Sequence, residues 1–357
     1  MKKISIIGTV GIPAKYGGFE TLTEYLTKYL HKDYDMTVYC SSKSYDEKKE
    51  EHNGAKLKYL NLNANGVQSI PYDIISIFKS LRNSDTLLIL GVSGCIILPF
   101  IRLFSKKRII VNIDGLEWKR EKWGKGAKWF LKYSEKLAVK YADEVVTDNK
   151  VIQDYVKSEY DKNSTLIAYG ADHVTKETMS DELKNQYSFL TEEYAFKVCR
   201  IEPENNIHVI LEAFESYKTL NLVIIGNWSN SEYGINLKVK YSKISNIHLI
   251  DPIYDQQILN QIRSNCYIYM HGHSAGGTNP SLVEAMYLGL PIFAYGIEYN
   301  KETTHNKAAY FDTKDELIEL LKNMDEVKLK KIGYNMIKLA KENYTWEKIS
   351  QQYSKLF

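Results

Sequence analysis

Short apolar runs alternate with helix-length amphipathic segments twice along the chain. In the first half, strands are expected over 3–7, 36–39, 57–60, 86–90, 108–113, 144–147 and 164–167. Helices are expected between them over 19–30, 72–81, 125–140 and 150–159. A stretch rich in Lys, Glu, Asp and Ser follows, and the pattern then resumes. The second set of strands falls over 196–199, 222–225, 247–249, 266–270 and 291–294, with helices over 207–217, 255–264, 280–287 and 315–323. Strand–helix alternation builds a parallel sheet with helices on both faces. The expected fold is therefore α/β, with two doubly wound domains facing a cleft. The first domain spans 1–175, the connection 176–193, the second domain 194–335, and a terminal helix 336–357 could cross back to the first. With 357 residues, two domains is also what length suggests. In such sheets ligands bind beyond the carboxyl ends of the strands, so the loops there are where chemistry is sought.

Charge and cysteine usage narrow the classes. The net charge of +3 is too small to argue for nucleic acid. It is uneven, however: residues 102–140 hold twelve Lys/Arg against four Asp/Glu. A basic first domain facing something anionic is one reading, and a solvated helix face is the other. Cys40, Cys95, Cys199 and Cys266 lie too far apart for a zinc motif or a disulfide framework, which suits a reducing cytoplasm. The apolar run after Met1 ends at Gly8, too short for a signal peptide. Residues 86–104 (TLLILGVSGCIILPFIRLF) approach the length of a membrane span, but Gly91, Gly94, Pro99 and Arg102 interrupt them. They read as a buried strand, a glycine turn and a short apolar helix. The apolar-then-basic piece over 96–108 suits a membrane interface without crossing it.

Four loops carry candidate chemistry. HGHSAGGTNPSLVEAM (271–286) follows a strand and opens a helix. Gly276 and Gly277 let backbone approach a ligand, Thr278 or Asn279 can cap, and Pro280 suits the first helical position. Free N–H groups there, with Ser281, would seat a diphosphate. Glu284, about one turn in, could accept ribose hydroxyls. GTVGIPAKYGGFE (8–20) is a second strand-to-helix loop, with Gly17 and Gly18 just before the helix. It is not GxGxxG, which weakens a nicotinamide-cofactor reading. VNIDGLEWKR (111–120) offers Asp114 and Glu117, either of which could act as general base or orient an acceptor hydroxyl; a plain Asp-Gly turn is the alternative. In VCRIEPENNIHVILE (198–212), Arg200 follows a strand, and a guanidinium suits a diphosphate leaving group. Gly226, at the end of the strand over 222–225, completes the candidate donor set. No metal is expected. Asp33-Tyr34-Asp35 has a metal-binding spacing but precedes its strand, at the wrong end of the sheet. No cofactor motif is present.

These blocks resemble the GT-B retaining glycosyltransferases of family 4. More narrowly, GIPAKYGGFETL, NIDGLEWKR, CRIEPENNI and HGHSAGGTNPSLVEAM look like the bacterial rhamnosyltransferases of polysaccharide assembly. The resemblance implies two Rossmann-like domains, the second holding the donor. It implies that Glu284 binds nucleotide ribose, that Arg200 contacts the diphosphate, and that Gly17 and Gly18 line the donor. It also implies a dTDP-rhamnose donor and a sugar acceptor on a polyprenyl diphosphate. The enzyme would then work in the cytoplasm at the inner face of the plasma membrane, touching it through the basic first domain. The chain departs from the broader family at three positions: Gly276 where a second Glu is usual, Asn205 where a Lys is usual, and Asp114 where a His is frequent. The first fits a deoxysugar donor, which has one hydroxyl fewer to bind. Other readings are a UDP-sugar donor, a sugar-nucleotide epimerase of the same fold, or a non-catalytic module binding sugar nucleotides or lipid diphosphates.

Overall fold

In the computed structural model, which describes residues 1–15, 17–120 and 123–357, the chain divides into two units. Unit 1 is Met1–Gly170 with Trp346–Phe357, and unit 2 is Ala171–Thr345. Both sheets are parallel and Rossmann-like, the arrangement that strand–helix alternation dictates.

Unit 1 holds β1 (Lys2–Ile7), β2 (Tyr34–Ser41), β3 (Glu51–His52), β4 (Ala55–Leu60), β5 (Thr86–Leu90), β6 (Arg108–Asn112), β7 (Glu144–Thr147) and β8 (Thr165–Leu166). Their order is β3-β4-β2-β1-β5-β6-β7-β8, antiparallel only between β3 and β4. All five side chains of β5 are buried, as a central strand covered on both faces requires. The segment over 86–104 is β5, a turn, and the seven-residue helix Leu98–Phe104. Among the described residues no helix is long and apolar enough to cross a membrane. The edge strand β3 was not expected. Its signal is Asn53-Gly54, both at positive φ, which closes a tight hairpin to β4.

Unit 2 holds β9 (Tyr194–Val198), β10 (Asn221–Ile225), β11 (Ile247–Ile250), β12 (Ile268–His271), β13 (Ile292–Tyr295) and β14 (Ala309–Phe311), ordered β11-β10-β9-β12-β13-β14. One face of this sheet packs Leu222, Ile224, Met270 and Phe293 under Ile210, Leu211 and Phe214 of the helix Ile207–Ser216. The helix Glu232–Tyr241 escaped the sequence reading because its apolar residues do not share a face: Leu237 is buried while Ile235 and Val239 are exposed. Residues 176–193, read as a connection, belong to unit 2. They form the Ser180-capped helix Asp181–Gln186 and bond to the helix Gln256–Ser264 and to Asn265 after it, with Ser180 N donating to Gln261 (2.9 Å) and Asn265 Nδ2 to the Glu177 carbonyl (2.9 Å).

The terminal segment is two helices rather than one. Glu326–Asn343 stays in unit 2 against the helix Pro280–Tyr287, where a Cβ on Gly333 would lie 2.4 Å from the Gly289 carbonyl oxygen. Trp346–Ser354 returns to unit 1, where the buried Trp346 stacks on Tyr25 (centroids 4.6 Å apart) and Tyr353 accepts from Asn112 Nδ2 (2.8 Å). Arg108 Nε donates to the Leu356 carbonyl (2.6 Å). Trp346→Ala should therefore destabilise unit 1 by ~3–5 kcal/mol, the cost of emptying an aromatic core site. Urea unfolding followed by proteolytic mapping checks this: the fragments released first should come from 1–170, and early loss of unit 2 instead would contradict it.

Candidate functional site

The strand order of unit 2 reverses between β9 and β12, so the loops after these two strands flank the crevice where open α/β sheets bind ligands. They are the loops that carry Arg200 and the HGHSAGG run. Arg200 is exposed just past β9. The two loops are joined by polar contacts. Ser274 donates through N (2.8 Å) and Oγ (3.0 Å) to the Glu204 carbonyl, and Asn206 Nδ2 donates to the Gly272 carbonyl (2.9 Å). Asn205 Nδ2 donates to the Arg200 carbonyl (2.9 Å), and its Oδ1 lies 3.1 Å from His273 Nδ1. Gly272 is obligatory, since a Cβ there would sit 2.2 Å from the Asn205 carbonyl oxygen.

The helix Pro280–Tyr287 begins as expected, with Asn279 as cap and Pro280 at its first position. Its N–H groups are not free, however. Asn279 Oδ1 takes Ser281 N (3.0 Å) and Ser281 Oγ (2.8 Å), while its carbonyl takes Leu282 N (3.0 Å) and Val283 N (3.2 Å). The Asn279 cap thus takes up the N–H of Ser281, one member of the seat expected from the sequence. Thr278 is buried just before the cap. Gly226 is tightly packed: a Cβ would lie 2.6 Å from the Cys199 carbonyl oxygen.

Glu284 is held on both oxygens. Oε2 pairs with the buried Arg263 Nη1, and Oε1 with His173 Nε2 at 3.2 Å. Burial alone would raise its pKa, but the Arg263 charge and the His173 bond outweigh it and bring the carboxyl down to about 2. Glu284 is thus a fixed, ionised acceptor at neutral pH. Arg263 and His173 escaped sequence reasoning because they lie 21 and 111 residues away, with no motif to mark them. Two more buried groups stand near: Lys197 on β9, whose pKa burial lowers, and His271 at the end of β12, lowered by burial and then by the charges of Lys197 and His273.

In unit 1 the order reverses between β1 and β5, which places the loop 8–17 at the equivalent crevice. Glu20, buried, accepts from Thr9 Oγ1 (2.9 Å) and Val10 N (2.7 Å), and so ties the loop to the helix Gly18–Leu30. Gly17 (φ +128) makes room for this carboxylate: a Cβ would meet Glu20 Oε2 at 1.9 Å. Gly18 is the first residue of the helix, and Tyr16 lies outside the described residues. After β6, Asp114 is half-buried in left-handed backbone (φ +59), with its N donating to Asn112 Oδ1 (3.0 Å). Such strain in a non-glycine residue concentrates at functional positions. Glu117 differs: Oε1 accepts from Trp123 Nε1 (3.0 Å) and Oε2 pairs with Arg120 (2.9 Å). It braces its own loop. Among the described residues no group of three or more His, Cys, Asp or Glu is placed to hold a metal.

Comparison with known proteins agrees with this geometry. Residues 1–172 match the domain of unknown function DUF1972, and residues 179–338 match glycosyl transferases group 1. An uncharacterized glycosyltransferase of Methanocaldococcus jannaschii is 24% identical over 404 aligned positions, covering 100% of this chain and 99% of its own. Sucrose-phosphate synthase from Thermosynechococcus elongatus superposes with a TM-score of 0.82 at 14% identity, over 100% of this chain and 98% of that one. Anabaena HepE, solved with UDP and glucose, gives 0.76 at 12% identity over 99% of each chain. These structures share the GT-B fold. The chain is thus similar to DUF1972 proteins over its first 172 residues and to group 1 glycosyl transferases over residues 179–338.

Proposed function

We propose that this glycosyltransferase moves rhamnose from dTDP-rhamnose to a sugar on a polyprenyl diphosphate, with retention and without a metal ion. The observation that carries the donor side is Glu284, fixed and ionised by Arg263 and His173 on the helix that follows the HGHSAGG loop. An ionised carboxylate only accepts hydrogen bonds, which suits a hydroxyl of the nucleotide sugar, the 3′-OH that the deoxyribose of dTDP keeps. Arg200 would meet the diphosphate, whose negative charge grows as the bond from sugar C1 to phosphate oxygen breaks. Asp114 would orient the acceptor hydroxyl that forms the new bond at C1 and receive its proton, while the nucleoside diphosphate departs. Gly276 in place of a second carboxylate supports a deoxysugar. A UDP-sugar donor is the second reading, favoured by the HepE complex with UDP and glucose.

A lipid-linked acceptor asks the protein to work at a membrane, and one surface of unit 1 suits that. Phe78, Phe100 and Phe104 form a chain of ring contacts (6.2 and 4.9 Å between centroids), and Leu103 and Phe104 are each 75% exposed. Lys106, two residues after Phe104, is exposed, while Lys107 donates its ammonium to the Ser84 carbonyl. Apolar side chains beside an exposed lysine suit an anionic bilayer surface.

The deciding measurement is transfer by purified protein, without added metal, from dTDP-rhamnose, UDP-glucose or UDP-N-acetylglucosamine to short lipid-diphosphate sugars. Acceptor-dependent dTDP release with a heavier lipid supports the proposal, and product from a UDP-sugar alone refutes the rhamnose assignment. Asp114→Asn, which tolerates the same backbone, should lower kcat at least ~100-fold with little change in donor affinity. Glu284→Gln should weaken donor binding. It should also flatten the acid limb of unit 2 stability. The contribution of Glu284 is complete above its ordinary pKa of 4.5 and falls away as pH drops through about 2, a fall that melting curves from pH 7 to 2 would register in the parent alone. In vesicle co-sedimentation, the double change Leu103→Ser with Phe104→Ser should abolish binding to anionic vesicles; binding equal to that of the parent removes this surface from the account.

A further inference from the structure

We propose that the groove between the helices Lys125–Tyr141 and Lys150–Tyr160 of unit 1 is a carbohydrate-binding site, taking one neutral pyranose ring of a glycan against Trp129. A cavity of about 230 Å³ opens there, lined by Trp129, Lys132, Tyr133, Lys136, Glu159 and Tyr160. All six lie on the two helices and none on the loops that follow the strands, so the site stands apart from the donor and acceptor readings above.

Trp129 and Tyr133, one helical turn apart, hold their rings parallel (3° between planes, centroids 5.6 Å apart), yet they are 69% and 43% exposed. Two large aromatic side chains left side by side in water mark a surface for a partner. Polar groups of both kinds surround them. Lys136 is exposed and, among the described residues, enters no hydrogen bond or ion pair. Glu159 gives Oε1 to Lys132 (3.0 Å), and its side chain is 46% exposed. A pyranose presents C–H groups on its faces and hydroxyls around its rim, and each hydroxyl both donates and accepts. An aromatic surface flanked by an ammonium and a carboxylate meets both features. The charges of Lys132 and Lys136 are matched by Glu159 and the buried Glu135, which favours a neutral ligand over an anion. The cavity is smaller than the ~300–1,000 Å³ of pockets for drug-sized molecules and suits one sugar ring rather than a nucleotide. Further lysines on the first helix make an anionic bilayer the rival occupant, but a bilayer surface does not enter a groove, and Glu159 repels its phosphates.

The floor of the groove is fixed before a ligand arrives. Glu135 accepts from Trp118 Nε1 (3.0 Å) and from the hydroxyls of Tyr155 and Tyr160 (2.7 Å each). Lys132 donates to the Tyr155 hydroxyl, and its ammonium lies over the rings of Trp118, Tyr155 and Tyr160 at 4.6, 4.7 and 5.1 Å. Lys132 and Tyr160 are thus already ordered, which lowers the entropy lost on binding.

The full chain labelled with fluorotryptophan would be titrated with the methyl glycosides of rhamnose, glucose, galactose and N-acetylglucosamine and followed by fluorine NMR. The Trp129 signal is assigned by its loss in Trp129→Phe. At least one glycoside should shift that signal saturably, with a millimolar dissociation constant. Saturating UDP or dTDP should leave the shift in place. Lys136→Ala and Glu159→Gln, which keep the reporter ring, should each weaken the same glycoside by about fivefold, the loss of one hydrogen bond. All three positions are largely solvent-facing, and melting temperatures within a few degrees of the parent exclude misfolding. No shift with any of the four glycosides, a shift that the nucleotide abolishes, or affinity unchanged in both polar variants overturns the proposal. If Trp129→Ala instead lowers co-sedimentation with anionic vesicles while no glycoside binds, the groove belongs to a membrane surface and the carbohydrate site is refuted.

Discussion

In a parallel sheet every strand delivers the chain to the same edge. Where the strand order reverses, neighbouring strands send their helices to opposite faces and leave a crevice between them. Between β9 and β12 that crevice is bounded by the loops bearing Arg200, Asn205, His273 and Gly276. Between β1 and β5 it is bounded by the loop that Glu20 fastens. Each loop is fixed by carbonyls and carboxylates brought in from elsewhere, the Glu204 carbonyl for one and the Glu20 side chain for the other. The sheet order supplies the place, and these few polar contacts supply the shape.

Electrostatics in unit 2 follows the same division. Placing a carboxylate on a largely buried helix face is unfavourable unless its charge is met, and Arg263 and His173 meet it from two different segments. The result is a carboxylate whose charge is fixed in place by both partners. Arg200, by contrast, is exposed at the strand end.

The architecture was legible wherever periodicity and punctuation agreed. β5 and β7 and the helix Pro280–Tyr287 have the bounds their residues suggest, because continuous β-branched or leucine runs end at a glycine or a capping residue. β14 and the helix Glu232–Tyr241 were not legible, the first being too short for alternation and the second having no single apolar face. The crossing of a terminal helix back to the first domain was expected, but not that it starts at Trp346, whose stacking on Tyr25 spans more than 300 residues. At the site, the loops could be located but not their wiring. That Asn279 would satisfy the start of its own helix, that Glu117 would brace Trp123, and that Glu284 would be shared between Arg263 and His173 are facts of tertiary distance.

Because β1 through β8 and the helix Trp346–Ser354 belong to one unit while 171–345 form the other, unit 2 is an insertion within unit 1. Translation therefore produces the whole sheet of unit 1, then all of unit 2, and only afterwards the helix that covers Tyr25 and supplies Tyr353 to Asn112. Throughout that interval Tyr25 and Asn112 lack the Trp346 and Tyr353 that they meet in the finished unit. Damage to the final dozen residues would be felt at the other end of the chain.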